Sequence, residues 1–195
     1  MQYEEVIREI ARRNQLISQY QFCRYKANLD STKTEYLFPE ETFRMHRDDI
    51  RLGFVDDLRT KHFSSNEHVI GLTSLVVING SEFHLDMIDF CCEKSEEGLR
   101  DVRDTLTSLR MRRGFVMDSG NSYHYLGFSF RSKPEFLQLM GRLSGYSCIG
   151  PNWSYYQQLK EFGVLRITPC FKFGKQIPQL VERFDDLQLY FSFVE

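Results

Sequence analysis

The spacing of apolar residues changes along the chain and predicts helices in some segments and strands in others. Residues 3–20 carry apolar side chains close to helical spacing, at Tyr3, Val6, Ile7, Ile10, Leu16, Ile17 and Tyr20. This spacing predicts an amphipathic helix that docks on a core, with Glu4 and Glu5 at the positive end of its dipole. Residues 28–68 are polar and irregular, so short helices and loops with solvated charges are expected there.

From Ile70 onward the pattern is that of strands joined by turns. The runs "IGLTSLVVING" and "EFHLDMIDFCC" predict two strands, and Asn79-Gly80-Ser81 between them has the composition of a hairpin turn. Ser95 is the expected N-cap of the helix that follows. The sequence then predicts strands at "GFVMD" and "SYHYLGFSF", helices from Pro134 and over residues 151–162, and strands at "GVLRIT" and "LQLYFSFVE".

This order of elements predicts an α+β fold. After Ile70 it is β-β-α-β-β-α-α-β with one further strand, and hairpins mixed with helices favour a mixed or antiparallel sheet. We expect helices to cover one face of the sheet and to leave the other face free for a cleft. The predicted domains are an N-terminal helical or irregular segment, residues 1–68, packed on a core of residues 69–195.

Size and charge restrict the function classes. The chain has 195 residues, of which 42% are hydrophobic, enough for the core of one domain of ordinary size. Its formal net charge of −2 argues against tight, non-specific coating of nucleic acid, because such binding depends on many Lys and Arg contacts to phosphates. A nucleotide or a short single strand bound in a local basic groove is compatible with this charge.

The cysteines and the start of the sequence indicate a compartment. Five cysteines are present without CxxC or zinc-ligand spacing. No signal-peptide pattern is visible, and no window approaches the roughly 18 consecutive apolar residues of a membrane span. We therefore expect a reduced, cytoplasmic protein with mostly buried thiols and no membrane partner.

Two carboxylates stand in the apolar run "FHLDMIDFCC". Alternation along a strand puts Asp86 and Asp89 on opposite faces, so only a bulge would bring them together. A carboxylate in such surroundings is costly to bury without a partner or a cation. Asp89 is therefore the first candidate for a catalytic acid or metal ligand, and a capping or ion-paired aspartate is the alternative.

In the segment "DSGNSYHY" a polar turn is followed by a strand, and one histidine stands near the start of that strand. Ser122 and His124 are two residues apart and would share a face of the strand, and Gly120 allows the turn to tighten. A hydroxyl beside an imidazole on an open sheet face can hold a phosphate or an incoming nucleotide. The alternative is a histidine satisfied by a backbone carbonyl.

These two segments, in this order and with a helix between them, resemble motifs of the archaeo-eukaryotic primases and their primase-polymerase relatives. "MIDFC", residues 87–91, resembles the family's hDhD strand, in which h is a hydrophobic residue and the acids hold divalent metal. "SGNSYHY", residues 119–125, resembles the sxH strand, in which s is a small residue, x is any residue and the strand contacts the nucleotide. The resemblance implies a primase-type core with an RRM-like sheet, a role in DNA replication, and a nucleoside triphosphate or single-stranded DNA or RNA as partner.

The resemblance also implies roles for single residues. Asp86 and Asp89 would be the metal ligands and, together with His124, the catalytic residues. Ser119, Ser122 and His124 would contact the nucleotide. In an active enzyme the cofactor would be Mg²⁺ or Mn²⁺.

Arg166, in "GVLRIT", resembles the arginine of a later family segment. This likeness makes Arg166 and the following Lys172 candidate nucleotide-binding residues, because a fork-shaped guanidinium suits phosphate. An arginine paired with Asp89 or another acid is the alternative.

The acidic pattern departs from that of the family. If Asp89 takes the first acidic position, the second falls on Cys91, whose soft thiol is a poor magnesium ligand. The resemblance implies a third motif, a strand with one further acid, near "FGVLRITP"; the strand there carries Arg166, and Glu161 is the nearest acid. Two-metal phosphoryl transfer needs several carboxylates.

Three functions follow as hypotheses. The favoured one is a primase-like protein that binds nucleotide or single-stranded nucleic acid and whose polymerase centre is reduced or lost. The second is an active metal-dependent primase, a nucleotidyltransferase. The third is a non-catalytic interaction module that recruits a protein partner through residues 1–68.

Overall fold

The computed structural model describes residues 1–26, 38–63, 67–170 and 175–185. The helices in these ranges are α1 Tyr3–Arg13, α2 Phe54–His62, α3 Glu96–Ser108, α4 Lys133–Leu143 and α5 Pro151–Lys160. The strands are β1 Ile17–Lys26, β2 Glu41–His46, β3 His68–Ile78, β4 Ser81–Asp89, β5 Arg113–Asp118, β6 Tyr123–Arg131, β7 Val164–Arg166 and β8 Gln179–Asp185. No helix in this described part of the chain is long and apolar enough to cross a membrane.

The strands pair antiparallel in one sheet of order β2-β1-β3-β4-β6-β5-β8, with β7 paired to β3 beside this path. The β3–β4 hairpin closes through Asn79 and Gly80, whose φ angles of 49° and 80° are those that the tightest hairpin turns need. Only the hairpin end of β3 pairs with β4. Farther along, β7 takes the edge of β3, while β4 continues beside β6 as far as Asp89.

Helices cover both faces of this sheet. On one face α1 and α2 bury apolar side chains such as Val6, Ile7 and Phe54 against the strands. On the other face α3 and α4 do the same with side chains such as Leu106 and Phe136. The expectation of one free face is wrong for the described residues, because the apolar stripe of α1 needs a surface to cover and takes the second face.

The start of the chain is bonded to β8. Gln2 forms an isolated bridge with Gln179, and the amide of Leu180 donates to the carbonyl of Met1 at 2.9 Å. The Arg183 guanidinium binds the Glu9 carboxylate through two hydrogen bonds of 2.9 Å each. These contacts hold α1 across the strands that carry the predicted motifs.

The predicted α+β class, the antiparallel sheet and the order β-β-α-β-β-α-α-β after Ile70 are confirmed. The predicted helix over residues 3–20 ends at Arg13, and its last apolar residues belong to β1. Strands β2 and β8 were not predicted, whereas the strand predicted over residues 187–195 lies outside the described residues. The predicted division of the chain into two parts at residue 68 stays a prediction. Strands β1 and β2, which precede this residue, belong to the same sheet as β3.

Candidate functional site

Strands β4 and β6 bring Asp89 and His124 together. The two residues are directly opposite each other in the antiparallel register, and His124 Nε2 lies 3.3 Å from Asp89 Oδ1. The His124 residue is 5% exposed, whereas the Asp89 side chain is 37% exposed. The carboxylate is therefore the member of the pair that solvent and ligands can reach.

Tyr3 of α1 lies over the imidazole of His124. The two rings meet edge to face, with centroids 6.2 Å apart and planes at 74°. The Tyr3 hydroxyl and His124 Nδ1 are both buried without a hydrogen-bond partner. Burial raises the pKa of Tyr3 well above its usual value, and the negative charge of Asp89 raises it further. Helix α1 thus closes the side of the pair on which the sequence predicted an open cleft.

The Asp118–Ser122 turn, between β5 and β6, is held by its own polar groups. Gly120 has φ 108°, a conformation that favours glycine, and its amide donates to Asp118 Oδ1 at 2.7 Å. The Ser119 amide donates to the Ser122 carbonyl at 2.9 Å. The other oxygen of Asp118 binds the Lys94 ammonium at 2.5 Å. The turn is therefore held in shape by contacts within the chain.

The structure does not place Ser122 and His124 on a common face. The Ser122 hydroxyl is 4.0 Å from the Cys92 thiol, which packs with the α3 and α4 side of the core. His124 faces Tyr3 on the other side. Because β6 begins at Tyr123, Ser122 belongs to the turn, where strand alternation does not apply.

Asp86 lies away from Asp89. It is 3% exposed, and Arg131 binds its two oxygens, with Nε 2.5 Å from Oδ1 and Nη2 3.2 Å from Oδ2. Burial raises the pKa of the Asp86 carboxyl, and the Arg131 charge opposes that shift. A register irregularity between Leu85 and Met87 is present, but it does not turn Asp86 toward Asp89.

Arg166 binds the main chain. It is 9% exposed, and its Nη2 donates to the Ser119 carbonyl at 2.7 Å. Its Nη1 donates to the Gln176 carbonyl at 2.9 Å and to the Thr168 carbonyl. These hydrogen bonds are neither the predicted phosphate contact nor the alternative pairing with Asp89. Lys172, the other predicted phosphate contact, lies outside the described residues.

Within the described ranges no group of three or more His, Cys, Asp or Glu side chains is placed to hold a metal ion. Cys91 is an exposed residue, and the partial burial of its thiol raises the thiol pKa. The carboxylate of Glu161 is paired with Lys133 at 2.6 Å. These donors do not fit a two-metal centre, which requires several convergent carboxylates. Metal binding by Asp86 and Asp89 stays a prediction.

A comparison with protein families identifies the fold family. The sequence model of the AEP-like family, described as archaeo-eukaryotic primase 1D-like, matches residues 51–177. The chain belongs to the AEP-like family. The matched part of this AEP-like protein includes Asp89, the Asp118–Ser122 turn, His124 and Arg166, and it excludes α1 and β1. No curated protein matches the chain, and no solved structure matches it.

Sequence reasoning missed two residues that determine the surroundings of the candidate site. Tyr3 covers His124, but its position in the sequence indicates only the buried face of a helix. Arg131 binds Asp86, which is 45 residues away in the sequence. The sequence does not indicate which residue an arginine at the end of a strand will bind. Both contacts depend on how α1 and β6 pack in this AEP-like protein.

Proposed function

We propose that this AEP-like protein binds a nucleotide or a short single-stranded nucleic acid beside the Asp118–Ser122 turn and the Asp89–His124 pair. The observation that carries the proposal is the direct pairing of Asp89 with His124 in register, next to a preordered turn. Family membership supports it, because this pair and this turn lie in the matched part of the chain and in the two segments that resemble primase motifs.

Cations beside the turn favour an anionic ligand. The Lys94 ammonium reaches the turn at Asp118. Lys175 approaches it from the opposite segment, since a Cβ placed on Gly120 would lie 4.0 Å from Lys175 Cγ. Lys175 is therefore a candidate contact for a phosphate group near the turn, whereas Lys94 is paired with Asp118; the whole chain has a net charge of −2.

The acids support a reduced polymerase centre. Asp89 is the exposed carboxylate at the pair, Cys91 stands where the family pattern has a second acid, and Asp86 is bound by Arg131. One carboxylate is not enough to hold the two cations that would neutralise the charge of a triphosphate. We therefore assign binding to this site, and assign no nucleotidyl transfer to it.

The test is a fluorescence titration of the full chain with labelled ATP and with a labelled oligo-dT, with and without Mn²⁺. We expect saturable binding. Asp89→Asn should lower the affinity about tenfold, as for one lost charged hydrogen bond. His124→Ala should lower it by a similar factor, because the buried imidazole holds the Asp89 carboxylate rather than touching the ligand. Asp56→Asn and His46→Ala are matched controls, because both residues are exposed and distant in the fold. Absence of wild-type binding, or equal affinities in all variants, overturns the proposal.

A second candidate is a non-catalytic interaction module. The burial of His124 under Tyr3 favours it, because a ligand cannot touch the imidazole while the first turn of α1 stays in place. This candidate predicts no binding of either probe. A protein partner would then be sought through residues 1–68, which contain α1.

A further inference from the structure

Arg166 is a buried cation whose hydrogen bonds go to three separate segments of main chain. Ser119 lies in the Asp118–Ser122 turn, Thr168 follows β7, and Gln176 precedes β8. A guanidinium presents several donors in a rigid plane and can therefore hold several carbonyls at once. An ammonium group at this position has no such geometry.

The base of the Arg166 side chain is fixed by the sheet. Arg166 pairs with Gly71 of β3, and the next amide, that of Ile167, donates to the Ile70 carbonyl at 2.9 Å. A Cβ on Gly71 would come within 2.5 Å of Val164 Cγ1, so β7 packs closely on β3. The guanidinium therefore holds the Ser119 carbonyl at a fixed place relative to β3 and β7.

Hydrogen bonds constrain both ends of Ser119. Its carbonyl accepts from Arg166 at 2.7 Å, and its amide donates to Ser122 at 2.9 Å. A residue bonded through both main-chain groups loses freedom before a ligand arrives, and preorganisation of this kind raises affinity by lowering the cost of ordering.

The charge of Arg166 also acts at a distance. Burial raises the pKa of both Tyr3 and Tyr25; the Asp89 charge adds to this rise, and the Arg166 charge opposes it. Arg166 and Asp89 therefore bias one common buried region. Among the described residues, the partners of the guanidinium are carbonyl dipoles rather than a carboxylate.

We propose that Arg166 is a positioning residue that fixes the Asp118–Ser122 turn for nucleotide binding, and that it does not itself contact the phosphates. This inference rests on the proposed function. In this proposal the turn and the residues next to it contact the ligand, and β7 holds the turn in place through Arg166.

Three measurements on Arg166→Lys and Arg166→Met test this role: affinity for labelled oligo-dT at several salt concentrations, amide hydrogen exchange over residues 118–122, and thermal unfolding. Arg142→Lys is the control, because Arg142 is an exposed arginine in the last turn of α4. We expect both Arg166 variants to lose about tenfold in affinity and to exchange faster in the turn. The salt dependence should keep its wild-type slope, since a lost phosphate contact would lower it by about 0.7.

Each contrary result has a definite meaning. A lowered salt slope in Arg166→Met shows a direct phosphate contact and overturns the positioning role, as does unchanged exchange in Arg166→Lys when wild-type binding is intact. If Arg166→Met does not fold, Arg166→Lys gives the same readouts with the charge retained. If the wild type binds neither probe, the proposed function fails and nucleotide positioning with it, while the exchange measurement still shows whether Arg166 holds the turn.

Discussion

The ring of Tyr3 meets the ring of His124 edge on, at 6.2 Å between centroids, and both polar groups at this contact lack a partner. A buried donor or acceptor without a hydrogen bond costs about 1–3 kcal/mol. The helix that covers the candidate site is therefore held by its apolar side chains and by its bonds to β8, whereas the two unpaired polar groups at this contact oppose docking.

Tyr3→Phe tests this interpretation. Removal of an unpaired buried hydroxyl should leave the free energy of unfolding unchanged or raise it by up to about 1 kcal/mol. Tyr125→Phe is the matched control, because the Tyr125 hydroxyl donates to the Arg113 carbonyl at 2.9 Å, and its loss should destabilise the protein by about 1 kcal/mol. Urea denaturation measures both, and a Tyr3→Phe variant less stable than Tyr125→Phe would show that the Tyr3 hydroxyl is bonded.

The ion pair of Asp86 and Arg131 predicts an asymmetric response to mutation. Arg131→Met leaves a carboxylate with 3% exposure unpaired, and breaking a buried pair in this way costs about 3–5 kcal/mol. The double variant Asp86→Leu with Arg131→Met should recover most of that loss, because no buried charge is then left alone. A double-mutant cycle in urea measures the coupling, and additive effects would contradict the prediction.

Acid should weaken the fold through His84. This imidazole contacts the Ser74 hydroxyl at 3.0 Å and stacks on Phe136 at 4.3 Å. Burial lowers its pKa from 6.5 to about 4, while Glu82 raises it and Lys133 lowers it. The unfolded chain binds the proton more readily than the folded protein. The free energy of unfolding should therefore be highest above pH 6.5, where His84 is neutral in both states, and should decrease as the pH falls toward 4.

The measurement is the free energy of unfolding of wild type and His84→Phe between pH 4 and 7. The variant should show a flatter dependence on pH over that window than the wild type. Asp86, whose pKa is raised by burial, acts in the opposite sense, so the comparison between variants isolates His84. Equal slopes for wild type and His84→Phe would contradict the assignment.

Primer extension tests the reduced polymerase centre. With Mg²⁺ or Mn²⁺, a primed template and nucleoside triphosphates, we expect no extension, and no difference between wild type and Asp89→Ala. The physical reason is the lack of convergent carboxylates in the described residues. Metal-dependent extension that Asp89→Ala abolishes would establish the active primase instead.

Local sequence signals predicted much of the fold. Asn79-Gly80 determined the β3–β4 hairpin, and the side chain of Ser95 accepts from the Gly98 amide as the N-cap of α3. Ile17 and Tyr20 were assigned to the first helix because a spacing of three residues suits a helix as well as a buried strand with irregular register. The two register shifts between β1 and β3 follow from packing and leave no trace in the spacing.

The candidate site was predictable only in part. Asp89 and His124 meet because the strands of the two motifs are neighbours in the sheet, a relation that the order of elements already suggested. The cover by Tyr3 and the carbonyl contacts of Arg166 depend on tertiary packing between distant segments. Arg166 on a strand has the same sequence signal whether it holds a phosphate or a carbonyl.

The bonding of α1 to β8 has a consequence for biosynthesis. Glu9 and Arg183 are 174 residues apart, so at 5–20 residues per second the helix emerges from the ribosome on the order of ten seconds or more before its final partner strand. During that interval its apolar stripe has no complete docking surface and is available to chaperones. In a nascent chain stalled before β8 is made, the strands that carry Asp89 and His124 would therefore lack the fully docked α1 that covers them in the complete fold.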